Sequence, residues 1–91
     1  MNANEFDVYG PRLWTLADRL AKGAPMLARK GLTERLYEAG ASAARAHLGH
    51  LAALEPAVWA QLSPNQRAWE AVMVAKPAMV MLALQHFTVN A

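Results

Sequence analysis

Between Ala71 and Phe87 the chain carries one charged side chain, Lys76, and a proline follows it immediately. Seventeen residues of this kind make a helix about 26 Å long, short of the roughly 30 Å hydrocarbon core of a bilayer. A lysine near the centre of a span costs about 2.5–3.5 kcal/mol, and the C-terminal flank offers only His86 as an anchor. No transmembrane span is expected. A helix that is apolar nearly all round is instead expected to be enclosed by protein, and two partner helices in a short chain are too few to enclose it.

Trp69, Val72, Met73, Val80, Leu84 and Phe87 recur at three- and four-residue steps and read as the stripe that faces the core. Val74, Ala78 and Met81 lie on the other side, which is expected to meet a larger protein or a second copy of the chain. Pro77 lacks the N–H owed to the carbonyl four residues back, so a kink near residues 74–76 is expected. The surface around that kink supplies the expected partner-binding residues Val74, Lys76, Met79 and Met81, with Tyr9 and Arg12 as a lesser patch. Methionines suit either a core or an adaptable binding face. Tyr9, near Phe6 and ahead of the first expected helix, reads as an exposed anchor.

The rest of the chain favours helix almost everywhere. Of 91 residues, twenty are alanine and twelve leucine, with six valines and no isoleucine; alanine and leucine are strong helix formers, and β-branched residues are not. The expected fold is all-α: a single domain, a small bundle of three main helices with short helical connectors. Apolar residues make up 55% of the sequence, above the usual 45–50% or so, which again points to apolar surface left for another molecule.

Prolines and glycines divide the chain. Gly10-Pro11 is expected to open the first helix, with Pro11 at the first helical position, leaving residues 1–9 as an extended or flexible lead. Gly23 ends that helix, and a short turn follows between Pro25 and Gly31. The second long helix starts near Leu32 or Thr33 and carries Leu32, Leu36, Ala39, Ala43, Leu48, Leu51 and Leu54 on its apolar face. Residues 39–44 are all small, letting a neighbour approach or marking a break. Pro56 starts a short helix. Ser63, Pro64 and Gln66 form the sharpest local signal, a capping box with proline at the first helical position, so the last helix begins at Pro64 and frays over residues 88–91.

Chemistry has little to work with. There is no cysteine, hence no disulfide, thiolate nucleophile or zinc–thiolate site, and no glycine-rich phosphate loop. Ser63 reads as a cap, and Glu34 and Glu38, with Arg35 between them, read as solvated surface. No cofactor and no metal are expected. His47 and His50 share a helix face, but only His86, Glu38 or Glu55 are candidates to complete a metal site, so a surface or interhelical hydrogen-bonding role is the expectation. No catalytic residues are assigned, and the chain reads as a non-enzyme. The polar, acidic N-terminus is unlike a secretory leader, which gives a cytoplasmic location by default.

Residues 32–51 resemble a helix-turn-helix, with Gly40-Ala41-Ser42 as the turn and Ser42 capping a second helix. That resemblance implies a dimeric DNA-binding regulator using Arg45, His47 and His50, with Arg29 and Lys30 on phosphate. From Arg12 to Arg45 there are seven basic and three acidic residues, a mild excess that gives poor affinity for nucleic acid at physiological salt without dimerisation. The leading expectation is a protein-binding module, a small adaptor or inhibitor of regulatory or phage type. Peripheral association of the last helix with a membrane is a third expectation.

Overall fold

Five helices, and no strand, account for nearly all the described residues: α1 (Ala3–Lys22), α2 (Met26–Arg29), α3 (Leu32–Leu54), α4 (Pro56–Gln61) and α5 (Pro64–Val89). The computed structural model describes the backbone of residues 3–89 and the side chains of residues 9–85; Phe6, His86 and Phe87 therefore lie outside the described side chains. The three long helices α1, α3 and α5 each pack against the other two. At 26 residues, α5 is about 39 Å long and accounts for most of the bundle's 46 Å length.

The α3–α5 contact is built from small residues. Gly40, Ala41 and Ala44 of α3 are buried, as are Ala68, Ala71, Ala75 and Ala83 of α5, with Met79 filling the gap. Side chains at the contact set the distance between helix axes, so short ones bring the backbones together. A Cβ on Gly40 would run into the Met79 side chain, 3.0 Å from its Cγ, and lie 3.3 Å from the Ala75 Cβ. The pairing is antiparallel: Gly40 lies opposite Met79 and Ala75, while the later His47 meets the earlier Glu70. Tyr9, Leu13, Ala17 and Ala21 of α1 complete the core with Leu32, Leu36 and Leu48 of α3.

Three boundaries differ from expectation. First, α1 begins at Ala3, not Pro11, and holds Pro11 inside it. An internal proline costs about 3 kcal/mol; Tyr9 and Gly10 are buried just before it, and this burial is what keeps the lead helical. Pro11 itself faces solvent, where water can serve the carbonyl its ring leaves without a donor, and the Thr15 hydroxyl donates to the Pro11 carbonyl at 3.0 Å. Second, α3 runs unbroken through Gly40-Ala41-Ser42, so the turn that a helix-turn-helix requires is absent. The packing of Gly40 against α5 outweighs the roughly 1 kcal/mol that glycine costs in a helix. Third, α5, a single helix with Pro77 inside it as expected, reaches Val89, so residues 88 and 89 belong to it, and 90–91 lie outside the described residues.

Elsewhere local chemistry sets the ends as the sequence suggests. Gly31 adopts φ +70° between α2 and α3, a left-handed conformation that glycine takes at little cost. The Ser63 N–H donates to Gln66 Oε1 at 2.7 Å, and the Gln66 N–H donates to Ser63 Oγ at 3.1 Å, the reciprocal pair of a capping box. Ser63→Ala is expected to cost about 1 kcal/mol, read as a lower midpoint in urea with an unchanged slope. Arg67 ties α4 to α5: its guanidinium stacks 3.9 Å from the Trp59 ring centroid, and Nη2 donates to the Trp59 carbonyl at 2.7 Å.

Candidate functional site

A surface helix normally turns its large apolar residues inward and its polar ones outward. In α5 the sizes are inverted. Alanines and Met79 face the core, while Trp69 (58% exposed), Met73 (67%), Met81 (65%) and Leu84 (54%) face solvent. With Lys76 and Pro77, also exposed, these side chains follow one another at helical spacing along one outward face. From Trp69 to Leu84 the face is about 23 Å long. Lys76 is its only charge, and it forms no ion pair among the described residues.

Polar groups hold one end of this face. The Arg12 guanidinium of α1 lies 5.6 Å from the centroid of the Trp69 ring and donates from Nη2 to Asn65 Oδ1 at 2.9 Å. This arrangement positions the indole without covering it. On the flank towards α3, His47 Nε2 meets Glu70 Oε2 at 3.0 Å. In the middle, Pro77 has no N–H to give the Met73 carbonyl, and both residues are exposed.

The expected core stripe is the face that points outward: Trp69, Met73 and Leu84 are exposed, and Val72 and Val80 are half-buried at its edges. Among the expected partner-binding residues, Lys76 and Met81 are exposed on this face and Val74 is half-buried beside it. Met79 is fully buried, so it is a core residue, seated against Gly40. Tyr9 is also fully buried, because α1 is already helical there, and is no exposed anchor. Arg12 is exposed and sits at the edge of the same face through Trp69. Trp14 is exposed on α1 and meets Tyr37 of α3 edge-on, with ring centroids 5.4 Å apart.

The residues assigned to the helix-turn-helix do not form one surface for reading DNA. Arg45 and His50 are exposed on α3, and His47 is half-buried against Glu70, the interhelical role expected of it. Arg29 and Lys30 lie at the far corner of the bundle, where Arg29 Nε donates to the Ala24 carbonyl at 2.8 Å. Among the described residues no group of three metal-ligating side chains comes together, and no helix is long and apolar enough to cross a membrane. Compared with protein-family models, curated proteins and solved structures, the chain matches none of them.

Proposed function

We infer that this chain is a non-enzymatic, cytoplasmic protein-binding module that occupies a surface of a larger protein through the outward face of α5. One observation carries the reading: the fold closes with alanines inside α5, so Trp69, Met73, Met81 and Leu84 contribute little to the core and stand in water. Apolar patches of this kind on small domains mark contact sites, and tryptophan and methionine are enriched where such contacts are strongest.

The charge on the face bears on what covers it. Lys76 stands alone in the middle, with Arg12 at one end. A second copy paired face to face about a two-fold axis sets like charges near one another, which is unfavourable. A groove or helix with apolar side chains and a carboxylate opposite Lys76 fits better. An adaptor or inhibitor that works by occupying a surface requires nothing more.

Trp69→Glu and Met73→Glu test this reading. Both side chains are exposed, so helix content and thermal midpoint should barely move. Loss of an aromatic anchor commonly costs about 2 kcal/mol or more, about thirty-fold in affinity. Wild-type and variant proteins would be used as bait in nuclease-treated lysate of the native host, with self-association followed by sedimentation. A protein retained by the wild type and lost by both variants supports the reading. Identical recovery from all three baits overturns it.

A further inference from the structure

The corner between α1 and α3 carries a second, separate feature. Leu27 is 97% exposed and Met26 81%, the two most exposed large apolar residues among those described, and they are adjacent. They project from α2 because Ala24 and Ala28 are the residues that face the bundle, while Pro25 and the left-handed Gly31 fix the short helix at either side. The result is a blunt apolar tip. The chain on either side of it is basic: from Asp18 to Arg35 it has Arg19, Lys22, Arg29, Lys30 and Arg35, all exposed, against only Asp18 and Glu34. Asp18 is engaged by Lys22 at 2.9 Å. Since the whole chain is only +2, this segment, which runs from the end of α1 through α2 into the start of α3, carries its entire positive excess.

We propose that this corner docks on anionic lipid bilayers, with Met26 and Leu27 entering the headgroup–acyl boundary and Arg19, Lys22, Lys30 and Arg35 meeting lipid phosphates and carboxylates. Three considerations select this occupant. Two protruding side chains cover far less than the roughly 800 Å² that each side of a stable protein interface buries, but a fluid bilayer needs no matching shape. Binding to it follows buried apolar area plus attraction to anionic lipid, and the tip supplies both within one corner. A second copy of the chain would bring cations against cations. The cytoplasmic leaflet carries the matching charge. Two exposed side chains and a few cations make a weak, reversible, salt-sensitive contact.

The test is co-sedimentation with vesicles of phosphatidylcholine alone and with about one-third phosphatidylserine, at low and high salt. Binding is expected only with phosphatidylserine, reversed by salt. Lys30→Glu should weaken it more than five-fold, the worth of a single cation near such a surface. The double variant Met26→Asp/Leu27→Asp should weaken it at least ten-fold, with helix content unchanged because neither side chain is packed. Absence of binding to the anionic vesicles at low salt overturns the proposal. So does binding that Lys30→Glu abolishes but the double variant does not, which would be adsorption of a basic surface without insertion and would point towards nucleic acid or acidic protein. Binding lost instead in Trp69→Glu would move the contact to α5 and likewise overturn it.

Discussion

Tyr9→Ala is expected to remove about 3–5 kcal/mol of stability, the usual cost of emptying a buried aromatic site. For a small domain whose total stability is about 5–15 kcal/mol, that removes a fifth or more of it, and most of it at the low end of the range. The prediction follows from position. Tyr9 is completely buried, eight residues before the centre of α1 would lie if the helix opened at Pro11, and its side chain reaches the core only because the backbone is already helical from Ala3. Arg12→Ala, three residues on and exposed, should cost well under 1 kcal/mol, since it gives up only an exposed cation–π contact and one surface hydrogen bond. The measurement is urea unfolding of both variants followed by circular dichroism. If Tyr9→Ala unfolds at nearly the wild-type midpoint, the first turns of α1 do not belong to the core.

Tyr9 also shows why part of the fold was illegible in the sequence. A proline after a glycine is a strong helix-start signal, and the rule is sound as a local preference. It misplaces α1 because tertiary burial of Tyr9 and Gly10 overrides that preference, and because Pro11 falls on the solvent side, where a lost hydrogen bond costs least. Where local chemistry decides without such competition, the reading holds. The capping box at Ser63 and Gln66 forms as spaced, α3 starts at Leu32, and alanine and leucine deliver an all-helical chain.

The face of α5 fails for a different reason. Trp69, Met73 and Leu84 lie at helical spacing, and so do Ala68, Ala71, Ala75, Met79 and Ala83. When both sides of a helix are apolar, periodicity gives its period and not its phase. Size then tempts one to put the larger residues inside, since they bury more area. The deciding information lies on the other helix. Gly40, Ala41 and Ala44 of α3 form a small-residue seam, and the only stripe on α5 that can approach it closely is the alanine stripe. The candidate partner face is thus legible only once two distant segments are matched. Of its residues, Lys76 and Met81 are within reach of the sequence alone, whereas size and spacing place Trp69, Met73 and Leu84 in the core.

That seam makes the second large prediction. Two glycines lie within α3, and substituting them should have opposite signs. At Gly49 nothing stands within 4 Å of an added Cβ, so Gly49→Ala should stabilise by about 0.5–1 kcal/mol through the lower entropy of the unfolded chain and better helix propensity. At Gly40 the added atom meets the Met79 side chain and the Ala75 Cβ. Met79 has a flexible end that can give way, but Ala75 can move only with the α5 backbone. Gly40→Val, whose branched Cβ cannot rotate clear, should therefore destabilise by about 1–3 kcal/mol through overpacking, lowering the thermal midpoint by about 4–8 °C for each kcal/mol in a domain of this size. Adding Met79→Ala to Gly40→Val should recover part of the loss, because the cavity left by one side chain receives the other and neighbouring substitutions couple. Thermal melts of the four proteins separate the possibilities. A Gly40→Val protein as stable as wild type would mean that α3 and α5 do not meet at Gly40, and the alanine face of α5 would lose its reason to point inward.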